Sequence, residues 1–388
     1  MASKLGDYCN FQEGYVNPSQ HHPEYFDGDV KWIRAVDLNN GFVYNTTRTL
    51  TSTGFRSAGK SALLFEPDTI VISKSGTIGR LGIIKDYMCG NRATINIRPK
   101  HNCDLYFVFY FLRSIQQYLG DLAVGSVQKN LYVSILENIE VAFPDLDTQR
   151  KIGQFMLMFD SKIETNNKIN DNLQQQAAAI FREWFVANPE TEKWPLVTLE
   201  TLTSLVSRGI TPKYADDSTQ IVLNQKCIRD HYIDTSLARQ HKPKVINEKW
   251  LQYGDLLINS TGEGTLGRAA QVWFLPKNMT IDSHITIVRP KNQLLLFYIG
   301  LWGTTHEREI EALHTGSTGQ TELPRDRVKA MELRQPGNDT LARFNSIIKP
   351  MVSAIVANQQ ENARLVSIRD ALLPKLMSGE INVSSVQC

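Results

Sequence analysis

The feature that most constrains this chain of 388 residues is that it is written twice. The segment PDTIVISKSGTIGR (67–80) is echoed by YGDLLINSTGEGTLGR (253–268), each a strand-like run ending in a glycine turn. ATINIRPK (93–100) returns as HITIVRPK (284–291), and GSVQKNL (125–131) as GSTGQTEL (316–323). The offsets are 188, 191 and about 192 residues, close to half the chain. Independent anchors at one slowly drifting offset mark an internal duplication. A period near 190 exceeds the roughly 20–50 residues of a solenoid unit, so each copy is a domain plus whatever follows it.

A long helix follows both. Between Thr148 and Val186 there is no Pro and a single Gly, Gly153. Ile152, Met156, Phe159, Ile163, Asn166, Asn170, Leu173, Ala177, Ile180 and Trp184 alternate four and three apart. The second copy repeats the series as Phe344, Ile348, Met351, Ile355, Asn358, Asn362, Leu365, Arg369, Leu372 and Leu376. That spacing is a coiled-coil seam, and its matched asparagine pairs lower stability while fixing register, which suits two helices that meet each other. A helix of about 37 residues spans on the order of 55 Å, beyond the width of a small domain, so it must touch more than its own domain. Pro350 and Pro374 predict a kink or a late start in the second helix.

The expected layout is a domain over 1–146, a helix over 147–187, a hinge and second domain over 188–336, and a helix and tail over 337–388. Each domain mixes short strands with turns such as Asn39-Asn40-Gly41, plus a short helix near Tyr106–Leu119 or Leu294–Leu301. Five scattered cysteines without a CxxC pair argue for a reducing compartment and against zinc or a disulfide framework. No apolar run is long enough to span a bilayer and the N-terminus lacks a signal-peptide pattern, so a cytoplasmic protein away from membranes is expected. A net charge of +2 is silent about nucleic acid, because a balanced total can hide a basic face.

Catalytic signatures are missing where they would matter. The sequence holds no [DNS]PP[YF] methyltransferase motif and no HExxH. Gly262–Gly267 fits GxGxxG, but Arg268–Phe274 reads as a strand where a dinucleotide site needs a helix. His21, His22 and Glu24 read as a solvated loop rather than a metal site, and neither metal nor cofactor is expected. Phe181, Trp184 and Phe185 suit a docking surface or an intrachain core equally well.

In this order the motifs resemble the specificity subunits of Type I restriction-modification enzymes. The carrying residues are Leu5-Gly6-Asp7, Ser75-Gly76-Thr77-Ile78-Gly79, Gly125-Ser126-Val127-Gln128 and the helix ends Ala179–Phe185 and Leu372–Ile381. Phe143-Pro144-Asp145-Leu146-Asp147-Thr148-Gln149 is similar to the family's PPLxEQ helix opening, whereas Gln335–Thr340 lacks the glutamine. The resemblance implies an α+β fold: two similar mixed α/β target-recognition domains separated by two long helices packed as an antiparallel coiled coil. It implies a non-catalytic subunit whose domains each read half of an asymmetric, bipartite site in double-stranded DNA. Two methyltransferase subunits, carrying S-adenosylmethionine, would dock around the helices, with motor-nuclease subunits added for cleavage. Half-sites on one face of B-DNA lie roughly 34 Å apart, within reach of a rod of this length.

Base-edge readout needs donors and acceptors such as Arg, Lys, Asn and Gln. The repeated turns offer Ser73, Lys74, Thr77, Arg80, Asn91, Arg92, Gln128, Lys129 and Asn130 in the first domain. The second offers Asn259, Ser260, Thr261, Arg268, His284, Thr318 and Gln320. The glycines persist between copies while these polar positions change, as expected of two readers with different targets. A coiled-coil scaffold without DNA readout and a stand-alone DNA methyltransferase are the alternatives, the latter needing a cofactor motif that the sequence does not show.

Overall fold

A computed structural model describes residues 3–125, 129–262, 264–316 and 321–383. The chain forms two compact units, Met1–Thr165 with Glu361–Cys388, and Asn166–Gln360. The units cut across the four-segment layout, because each long helix gives one half to each of them.

The two long helices run Leu146–Phe185 and Asn338–Met377, 40 residues each. The first is started by Asp145, whose carboxylate accepts from the Thr148 backbone N–H at 3.0 Å and its hydroxyl at 2.8 Å. Gln149, 1% exposed, then ties the helix to its own domain. Its amide donates to the Pro144 carbonyl (2.9 Å) and its Oε1 accepts from the Asp104 N–H (3.0 Å). The second helix has no such glutamine; Asn345 donates to the Leu294 carbonyl instead, at 3.0 Å. The late start expected from Pro350 is not seen, for the helix begins at Asn338 and continues past Pro374. Each proline removes one N–H from the ladder of a helix held by tertiary packing over its whole length.

In the first unit a five-stranded sheet has the order Cys9–Glu13, Thr94–Pro99, Thr69–Ser73, Leu81–Ile84, Gly41–Val43. A second sheet orders Thr49–Leu50, Phe26–Ile33, Met88–Gly90 and Leu64–Phe65. Its helix Leu105–Ser114 and the helix halves close one core, where Ile152, Met156, Leu373 and Leu376 join Ile70, Ile95 and Phe107. Asp160 of the first helix accepts from Tyr110 Oη (2.6 Å) and Arg113 Nη1 (3.2 Å), and pairs with Arg369 of the second. Lys162 pairs with Glu361 at 3.2 Å. Partner numbers fall as helix numbers rise, so the two halves run antiparallel.

The second unit repeats the plan. Its main sheet orders Thr203–Arg208, Ile285–Pro290, Leu256–Asn259, Ala269–Gln271, and its second orders Arg239–Gln240, Ile221–Leu223, Met279–Ile281. Ala269–Gln271 is the strand expected in place of a dinucleotide-site helix. The helix halves again run antiparallel: Asn358 donates to Asn170 Oδ1 at 2.8 Å, and Phe181 lies near Phe344. Phe181 and Phe185 are buried with Tyr298 and Phe344, which makes them intrachain core. They bury more deeply than Ile180 and Trp184, so the apolar stripe is wider at this end than a strict four-three seam. Ile348 and Ile355 are fully buried, Met351 only partly, with Val352 taking its place. In the first unit Phe159 and Leu372 are partly buried beside Leu373. Toward the middle Ile163, Leu173 and Leu365 are half-buried, and the buried polar side chains are Asn166 and Asn170. Asn358 and Asn362 are half-buried.

Candidate nucleic-acid interface

The duplication is visible bond by bond. Ser73 N–H donates to the Arg80 carbonyl at 2.9 Å, as Asn259 N–H does to Arg268 at 2.8 Å. Gly79 closes the turn by donating to the Ser73 carbonyl (2.9 Å), and Gly267 does so to Asn259 (2.8 Å). Lys74 N–H meets the Ala93 carbonyl and Ser260 N–H the His284 carbonyl, both at 2.8 Å. Leu131 and Leu323 then donate to the Lys74 and Ser260 carbonyls, again at 2.8 Å. These bonds make Ser73 the counterpart of Asn259, Lys74 of Ser260, and Ala93 of His284. Gly79 (φ 82°) and Gly267 (φ 86°) occupy the left-handed region that the turn requires.

The same bonds reassign several sequence candidates. Ser73, Asn259 and Ser260 are fully buried. Ser73 Oγ accepts from Arg80 N–H at 2.9 Å, Asn259 Nδ2 donates to the Gln225 carbonyl at 3.2 Å, and Ser260 Oγ is bonded to Thr286 Oγ1 at 2.7 Å. All three hold the scaffold and present nothing to a groove. Lys74 is spent on Glu13, 2.9 Å away, with 14% of its side chain exposed. In the other copy Arg208 pairs with Glu322 at 2.9 Å. Asn91 Oδ1 accepts from the Ala93 N–H (3.1 Å), which makes Asn91 a turn former.

The exposed candidates are Thr77, Arg92, Lys129 and His284, with Arg80, Asn130, Thr261 and Arg268 partly exposed. Gln128, Thr318 and Gln320 lie outside the described residues. His284 Nδ1 bonds Thr261 Oγ1 at 2.8 Å, and Gln225 Nε2 donates to the Thr261 carbonyl at 2.7 Å, so strand end and turn are tied together. Burial pushes the Asp282 carboxyl up from its ordinary range, opposed by the His284 N–H that it accepts at 2.9 Å. Beside this network a cleft of about 430 Å³ is bounded by Asn224, Gln225, Lys226, Arg239 and Tyr214. Lys226, Arg239 and Tyr214 carry none of the repeated turn motifs, so the search confined to those motifs passed them by. Among the described residues no group of three or more His, Cys, Asp or Glu could hold a metal ion, and His22 instead bonds Glu24 at 2.8 Å. No described helix is long and apolar enough to cross a membrane.

Comparison with known proteins fits this duplicated architecture. Residues 1–175 match the family described as the Type I restriction modification DNA specificity domain. The MjaIX specificity subunit of Methanocaldococcus jannaschii is 26% identical, the alignment covering 96% of this chain and 91% of that protein. The first copy of the duplicated unit thus matches the Type I restriction modification DNA specificity domain, and the chain over nearly its whole length is similar to a Type I specificity subunit. The HindI specificity subunit of Haemophilus influenzae is 22% identical over 63% of the chain and 70% of its own. Among solved structures, the Type I S subunit from M. genitalium shares the fold, with a TM-score of 0.58 at 15% identity, over 97% of this chain and 95% of that one. That S subunit and this chain therefore share one fold.

Proposed function

We propose that this chain is a Type I specificity subunit, the non-catalytic DNA reader of its enzyme, each unit reading one half of a bipartite, asymmetric site. The long helices act as the spacer and as the docking surface for two methyltransferase subunits, which bring S-adenosylmethionine. Motor-nuclease subunits joining that complex would add cleavage. One observation carries the reading: a single sheet-and-turn scaffold occurs twice, bond for bond, with different polar side chains mounted on it. Ala93 against His284 and Asn130 against Glu322 are such positions. Two heads alike in frame and unlike in surface produce a site without a two-fold axis, whereas a symmetric pair of readers produces a palindrome.

Selection of a random-sequence duplex library by the full chain, assembled with its methyltransferase subunit, tests this. The expected result is enrichment of a split motif whose halves are unrelated. A palindrome, or no enrichment with the complex intact, would contradict the reading and favour a coiled-coil scaffold.

A further inference from the structure

Resting on that reading, we propose that each head carries one arginine, stacked on an aromatic ring, that anchors a DNA backbone phosphate: Arg48 in the first and Arg239 in the second. Strand register makes the two equivalent. Trp32 pairs in parallel with Cys89 as Val222 does with Thr280, which sets Trp32 against Val222 and hence Lys31 against Ile221. On the other side Lys31 pairs with Thr49, and Ile221 with Gln240. Arg48 and Arg239 each stand one residue before that partner. They are 191 residues apart, the offset of the ATINIRPK and HITIVRPK strands.

Both guanidinium groups lie over a ring. Arg48 Cζ is 4.1 Å from the Phe26 centroid and Arg239 Cζ is 3.5 Å from that of Tyr214. Stacking on a ring fixes the plane of a guanidinium and leaves its N–H edge directed outward, an arrangement matched to two phosphate oxygens. Among the described residues the Arg48 guanidinium makes one hydrogen bond, Nη1 to Gln20 Oε1 at 3.0 Å. Arg239 is exposed and, among the described residues, has neither a carboxylate partner nor a side-chain hydrogen bond. A stacked cation without a protein anion on either head points to an anion from outside.

The persistence of the pair decides between phosphate and base. Around the stacked arginines the walls differ between copies. Arg34, Val36 and Ala93 line up with Asn224, Lys226 and His284, counted from the same registers. A feature kept in both heads while its surroundings change serves a task common to both half-sites. Phosphate is the same at every sequence and base edges are not.

The test is binding of the assembled full chain to its selected duplex and to random duplex across a salt series, for Arg48→Gln, Arg239→Gln and the corresponding lysine variants. Each glutamine variant is expected to bind all sequences more weakly by a similar factor. The slope of log K against log salt should fall by about 0.9 per lost contact, with the selected motif unchanged. The lysine variants, which keep the charge, should retain the slope. A changed base preference at one position would overturn the proposal by making the arginine a reader. An unchanged slope, with the unfolding midpoint lowered, would overturn it by making the arginine structural. A wild-type chain that enriches a split motif while its variants behave in either of these ways sinks this inference alone. A wild-type chain that enriches nothing sinks the function on which it rests.

Discussion

Asp160→Ala is expected to destabilise the first unit by about 3–5 kcal/mol, the loss typical of removing one partner from a buried ion pair. Asp160 is the common acceptor for Tyr110, Arg113 and Arg369. Its side chain is 14% exposed, and those of Arg113 and Arg369 are 14% and 7%. Truncation leaves two desolvated guanidinium groups with only the more exposed Asp370, 2.8 Å from Arg369 and 3.9 Å from Arg113, as counter-charge, and an orphaned phenol hydroxyl. Arg369→Ala should cost less, because Asp160 keeps Arg113 and Tyr110. Denaturant titration of the full chain, following the first unit's transition, gives both values. A loss below about 1 kcal/mol for Asp160→Ala would place the cluster in the class of screened surface pairs.

Phe344→Ala should cost the second unit about 3–5 kcal/mol, in the range for emptying a large aromatic site in a packed core. Phe344 is fully buried. Its ring meets Phe185 edge-on, with centroids 4.7 Å apart at 82°, and Trp184 at 5.9 Å. It joins the second long helix to the first in the core that also holds Tyr298 of the helix Leu296–Thr305, so no one element can move in to fill the void. Phe344→Leu keeps most of the volume and should cost less than half as much. Calorimetry of the second unit's transition measures the difference; equal losses for Ala and Leu would mean that the aromatic contacts, rather than filled volume, hold this end together.

The large-scale plan was legible because it is periodic. Three anchor motifs gave the duplication, and the four-three spacing gave both long helices and the central asparagines, one pair of which, Asn170 and Asn358, is hydrogen-bonded. Heptad counting placed Ile180 and Trp184 on the seam, yet Phe181 and Phe185 lie deeper, because that end of the helix packs on its own sheet unit as well as on its neighbour. The late start suggested by the prolines fails for a related reason: tertiary packing outweighs two missing N–H donors.

The candidate site was less legible. A polar side chain in a turn motif reads the same whether it faces solvent or satisfies the turn. Only coordinates show that Ser73 caps its own loop and that Lys74 is held by Glu13 sixty-one residues away. Arg48 stands just before, and Arg239 within, a two-residue strand without a motif, and their rings come from other strands or loops. Their one trace in the sequence is the offset of 191, which a search for repeated words overlooks.

The central claim is that two independent heads each govern half of one site, and exchanging a head tests it most directly. Residues 188–336 would be replaced by the corresponding segment of a Type I specificity subunit whose site is known, and the assembled complex used to select a random duplex library. The account predicts a hybrid motif: the half owed to residues 1–146 is retained, and the other half becomes that of the donor. Alteration of both halves, or retention of the whole original motif, would contradict it.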